Sequence, residues 1–107
     1  MNTLPKLDLF IRKGDTFAKV LDFNESTQSL TGAKIKAQAR RNVRSEVVEV
    51  EWNVSIVDGF ANISKTVEET LLMKEGNYVY DLEIELPNGF IKTILEGKLT
   101  IEDGVTR

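Results

Sequence analysis

Two groups of carboxylates are the first residues of this chain whose type and spacing could do chemistry. Glu46, Glu49 and Glu51 stand in one stretch, and Asp81, Glu83 and Glu85 in another. A glycosidase needs two carboxylates flanking a cleft at a defined separation. Here Glu49 and Glu51, and then Asp81, Glu83 and Glu85, recur at period two. That is the spacing of one side of a strand, and it reads as a wet sheet face. Calcium chemistry would need oxygen ligands at alternating loop positions around a glycine bend. Asp58-Gly59 and Asp103-Gly104 are isolated pairs and read as turns. The chain has no His and no Cys. The commonest general base, the commonest transition-metal ligand and all thiolate chemistry are therefore missing. A serine nucleophile would have to use lysine, and Ser64 and Lys65 are neighbours on a strand, so their side chains point to opposite faces. No glycine-rich phosphate loop occurs. These residues predict no catalytic, cofactor or metal site.

Lys34, Lys36 and Arg40 share one strand face, and Arg41 and Arg44 follow in the next loop. This cluster could meet a phosphate backbone or an acidic protein surface, or simply be solvated. It has no interleaved aromatic residues for stacking single strands. With 14 Lys+Arg against 17 Asp+Glu and a net charge of -3, the chain carries no overall footprint for nucleic acid. Trp52 could be a sugar platform, but it shares parity with Val48, Val50, Val54 and Ile56, which predicts a core position.

The elements that position these residues are strands. From Tyr78 to Leu86, Tyr78, Tyr80, Leu82, Ile84 and Leu86 alternate with Val79, Asp81, Glu83 and Glu85. Pro87-Asn88-Gly89 turns the chain, and a partner strand follows with Ile91, Leu95, Leu99 and Ile101 on one parity. Further strands are predicted at Lys6 to Arg12, Thr16 to Phe23 (with Lys19 interrupting an apolar parity), Ala33 to Arg40, Glu46 to Val57 and Phe60 to Thr66. Residues 24–29 read as a loop. Ala33, Ile35, Ala37 and Ala39 would form a small-residue inner face close to a bulky neighbour. Val67 to Glu75 breaks the alternation, which suggests a short helical turn or crossover loop whose Leu71, Leu72 and Met73 plug one end. Gly76-Asn77-Tyr78-Val79-Tyr80 has the form found where the sixth strand of an immunoglobulin-like sandwich begins, with Tyr78 as a tyrosine corner and Tyr80 where antibody domains carry Cys. The fold class expected is all-β, an immunoglobulin-like antiparallel β-sandwich of about seven strands. One domain would span residues 1–107, with loose termini at 1–5 and 102–107. A hydrophobic content of 41% supports a core. No apolar run approaches the length of a membrane span.

Phe10, Val79, Phe90 and Ile94 fall on the outward parity of the first, sixth and seventh strands. Together they are the candidate interface, an exposed apolar patch. The competing reading is a bulge, for instance near Gly97, that switches parity and buries some of them.

Several short motifs share an order with a known family. They are Lys-Gly-Asp-Thr (13–16), Ser-Leu-Thr-Gly-Ala (29–33), Gly-Asn-Tyr-Val-Tyr-Asp-Leu-Glu (76–83), Leu-Glu-Gly-Lys-Leu-Thr-Ile (95–101) and Gly-Val-Thr-Arg (104–107). This order resembles small structural proteins of tailed bacteriophages and prophages, and is similar to the N-terminal domain of baseplate upper proteins. The resemblance implies a non-enzymatic virion structural or adaptor protein of tail or baseplate type, attaching one virion part to another. It implies other virion proteins as partners, a possible homo-oligomer, no cofactor, and no nucleic acid or membrane partner. Residence would be in the virion after synthesis in the bacterial host cytoplasm, consistent with an MNTLPKLDLF start that lacks a secretory h-region. The alternatives are a carbohydrate- or surface-binding β-sandwich module and a head accessory or fibre protein. A small hydrolase is a remoter third.

Overall fold

The computed structural model describes residues 6–22 and 32–103. Eight strands and one short helix lie among them. In chain order they are β1 (Leu9–Arg12), β2 (Phe17–Asp22), β3 (Lys34–Arg40), β4 (Val50–Glu51), β5 (Asn53–Val57), β6 (Phe60–Lys65), α1 (Val67–Leu71), β7 (Gly76–Glu85) and β8 (Ile91–Glu102). They form a five-stranded sheet of order β1-β8-β7-β3-β4 and a three-stranded sheet of order β2-β6-β5. All pairings are antiparallel except β1 with β8, which is parallel. The expected loose ends at 1–5, residues 104–107 of the expected tail, Phe23 and the predicted loop at 24–29 lie outside the described residues. Glu102, assigned by the sequence to that tail, closes β8 instead.

Alternation decides which faces meet. Tyr78, Tyr80, Leu82 and Ile84 of β7 point inward and are buried, as are Leu99 and Ile101 of β8 and Leu9 and Ile11 of β1. Ala37 and Ala39 of β3 are fully buried, so β3 is the strand its alternation predicted and not a helix. Ala61 and Ile63 of β6, in the other sheet, are fully buried as well, and Ile63 joins the same core cluster. Trp52 fills the space between the sheets, its ring 6.2 Å from Phe17 and 5.6 Å, edge-on, from Tyr80. The small Ala37 and Ala39 side chains belong to the same buried cluster as these rings.

Three expectations need correction. Glu46 to Val57 is not one strand. Its backbone pairs with β3 at Val50–Glu51, donates on either side from Glu49 N–H to the Ala39 carbonyl (2.9 Å) and from Trp52 N–H to the Ala37 carbonyl (3.1 Å), then leaves for the other sheet as β5. Parity survives the crossing because Trp52 stays buried, but Val48 lies before the strand and is exposed. Next, residues 66–72 do form a helical turn, closed by a capping box in which Thr66 and Glu69 exchange side-chain-to-backbone bonds. Its apolar residues do not plug the sandwich, however. Leu72 is 86% exposed and Leu71 is also outside, while Met73 packs on the core. The buried residue of the turn is Thr70, whose hydroxyl accepts from Gly14 N–H and reaches the Asp15 carbonyl. A five-residue helix has too few turns to present two faces, so its one inward position ties down the β1–β2 turn instead. Finally, the β7–β8 ladder shifts register between Leu82 and Glu83, where Leu82 faces Leu95 but Glu83 faces Thr93. Ile94 is the extra residue. Beyond this bulge parity reverses, so Ile91, expected inside, stands opposite exposed Glu85 and is 62% exposed.

Candidate interaction surfaces

The outer face of the five-stranded sheet carries most of the charged residues singled out by sequence. Register places Lys34 opposite Glu85, Lys36 opposite Glu83, and Gln38 opposite Asp81. The basic stripe of β3 and the acidic stripe of β7 are therefore one surface, matched across the ladder. Gln38 also donates to the Glu51 carboxylate at 2.6 Å. Arg41, just past β3, stacks over the Tyr78 ring at 4.2 Å. Gly76 has φ +139, and a Cβ there would collide with that guanidinium, so glycine is what lets Arg41 lie flat. An open concavity of about 280 Å³ lies on this face, lined in part by Asp8, Arg40, Val79, Asp81 and Lys98. Arg40 Nε is buried there without an acceptor among the described residues.

Two tyrosines hold the frame beneath. Tyr78 Oη donates to the Lys74 carbonyl at 2.6 Å, which is the expected tyrosine corner. Tyr80 Oη donates to the Leu7 carbonyl. Leu7 comes this close because Gly97 has no side chain; a Cβ on Gly97 would occupy the position of that carbonyl. Burial pushes the Tyr80 phenol up to about 12, with the Asp8 carboxylate adding to the rise. Burial also raises Tyr78, against the opposing charge of Arg41. Glu69 is held below the usual carboxylate value, first by the Thr66 N–H and then by Asn53 and Lys65. All three groups bond to structural partners.

The four candidate interface residues do not form one patch. Phe10 and Phe90 are 65% and 69% exposed. Phe10 faces Thr100, whereas Phe90 precedes Ile91 at the other end of β8, a separation of roughly 30 Å at strand rise. Val79 is half-buried on the outer face, opposite Arg40 and Lys98. Ile94 is the bulge residue and packs against the core. The bulge invoked as the competing reading thus exists, three residues before Gly97, and it removes Ile94 alone from the exposed set. Sequence parity also missed exposed apolar residues in turns and loops: Val43 and Val47 in the β3–β4 connection, Val57 and Phe60 flanking the Asp58–Gly59 turn, and Leu72 and Ile91. Apolar residues beside turn signals were the available clue. Trp52 is 4% exposed and so offers no surface for stacking a sugar.

The strand order, the crossing of the chain between sheets, and the Tyr78 corner define an immunoglobulin-like sandwich. No family model matches the chain. No curated protein matches it either. Among solved structures the chain is similar to the M1 domain from titin, at 12% identity over 96% of this chain and 94% of that chain, with a TM-score of 0.45. The fold assignment rests on the strand order and the corner, and takes nothing from that likeness.

Proposed function

We propose that the chain is a non-enzymatic structural or adaptor module of a tailed-phage particle, of tail or baseplate type, acting by protein–protein attachment. The supporting observation is the placement of its exposed apolar side chains. Phe10 and Leu72 stand at the end of the sandwich that carries α1, and Phe90 and Ile91 at the opposite end, on the β7–β8 turn. A module with apolar contacts at both ends suits a position between two other parts. The β7–β8 turn is also well made for presenting them. Leu86 N–H donates to the Phe90 carbonyl at 2.8 Å, and Phe90 N–H to Asn88 Oδ1 at 3.0 Å, so Phe90 is held outward at little entropic cost on binding. The assignment to a virion, and to synthesis in a bacterial host cytoplasm, rests on the order of sequence motifs.

The test is to purify tailed particles from the strain that encodes the chain and locate it by gold-labelled antibody in the electron microscope. Labelling of the tail or baseplate is the expected result. Intact particles that contain none of the chain by mass spectrometry overturn the proposal.

A further inference from the structure

We infer that β5 is a pairing edge for a second copy of this chain, in a two-fold antiparallel arrangement centred on Ser55. The inference concerns the protein in solution and does not depend on the virion assignment.

A sheet edge presents unpaired N–H and C=O groups, and proteins blunt such edges with short strands or charges, including charges that point inward. Among the described residues, three of the four sheet edges are blunted. β4 has two residues, one of them Glu51. β1 has four and ends in Arg12. β2 has six, and places Lys19 on the inward parity opposite Ile63. β5, Asn53-Val54-Ser55-Ile56-Val57, has no charge, proline or bulge.

The backbone direction of β5 follows from its hairpin. Asp58 (φ 50) and Gly59 (φ 83) both have positive φ, the signature of a two-residue type I′ turn. In such a turn the flanking residues, here Val57 and Phe60, form a hydrogen-bonded pair. Alternation then turns Val57, Ser55 and Asn53 towards β6 and leaves the N–H and C=O of Val54 and Ile56 at an edge that no other described strand pairs. A two-fold axis through Ser55, perpendicular to the sheet, sets Val54 against Ile56 of the other copy, and Ile56 against its Val54. Each such pair exchanges both backbone bonds.

Side chains fit this register. Val54 and Ile56 are half-buried on the core side, so the second copy covers apolar surface that is left partly open. On the outer side Ser55 meets Ser55 and Asn53 meets Val57, with no like charges opposed. The Asp58–Gly59 turn of each copy arrives beyond Trp52 of the other, where an open concavity of about 280 Å³ is lined by Lys36, Glu51 and Asn53. The result is a continuous six-stranded sheet with isologous symmetry.

The experiment measures solution mass by light scattering from about 10 µM to about 1 mM, the range in which a small interface associates. Wild type should pass from monomer to dimer. Ser55→Lys and Ser55→Glu change an exposed side chain, and each should weaken the dimer at least about tenfold by opposing like charges. An equimolar mixture of the two should restore it. A wild-type monomer throughout the range overturns the inference, as do variants that dimerise like wild type. If both variants are monomeric but their mixture stays monomeric, the Ser55-centred register is overturned. Particle labelling is read separately, so failure of this pairing leaves the attachment proposal to its own test.

Discussion

On the outer face of the five-stranded sheet, Lys34 stands opposite Glu85 and Lys36 opposite Glu83. On the outer face of the three-stranded sheet, Ala18, Ser64 and Asn53 share one row and Val20, Asn62 and Ser55 the next. The third row is Asp22, Phe60 and Val57, and Asp22 is the one charged residue of these nine. Both faces belong to sheets of one small domain, yet one is laced with matched charges and the other is almost neutral. A charged ladder keeps its strands wet and discourages a second sheet from docking. A neutral face with exposed Val20, Val57 and Phe60 does neither. The exposed apolar residues thus lie on the thinner sheet and at the sandwich ends, away from the charged face that first drew attention as possible chemistry.

The strongest way to break this comparison is to uncouple the sheets. Trp52→Ala empties the space between Phe17 and Tyr80 at the point where the chain changes sheets, and should cost about 3–5 kcal/mol in urea denaturation. A variant of near-wild-type stability would show that the ring does not join the two layers.

The next effect belongs to the five-stranded sheet and its tyrosines. Tyr80 ionises at about 12 in the folded state against 10.0 for a free phenol. The folded state therefore holds its proton more tightly, and this contribution is fully present below pH 10. It is lost as pH rises through about 12, with Tyr78 adding in the same direction. Thermal melts between pH 9 and pH 12 should fall for wild type and fall less steeply for Tyr80→Phe. Tyr78→Phe removes only the bond to the Lys74 carbonyl and should cost about 1 kcal/mol.

The smallest effects sharpen the comparison most. Glu83→Lys sets two cations opposite each other on the charged face and should cost up to about 1 kcal/mol. Ser55→Lys places a cation on the neutral face, where no charge faces it within one copy, and should change monomer stability by less than about 0.5 kcal/mol. If both substitutions destabilise the monomer equally, the two faces do not differ in the way described.

Much of this was legible because strand parity is a local property. The buried set of β7, the strand nature of β3, the β7–β8 turn and the Tyr78 corner all follow from side-chain alternation and turn chemistry within a few residues. The candidate interface was less legible. Phe10 and Phe90 are exposed as parity requires, but parity carries no distance along the sheet, and register puts them at opposite ends of β8. Ile94 was misplaced because a bulge inserts one residue without a local signature, and Ile91 was misplaced with it.

By itself, then, the sequence determined the dry side of β3 and β7 and the turns at Asp58-Gly59 and Pro87-Asn88-Gly89, because these depend on backbone sterics and on pleats that repeat every two residues. Tertiary structure alone decided that the basic stripe of β3 meets the acidic stripe of β7, that the chain changes sheets at Trp52, and that β5, among the described strands, stands at a sheet edge. Those outcomes depend on which strands become neighbours, and pairing is chosen by the packing of the whole core around Trp52, Tyr80 and the buried alanines of β3.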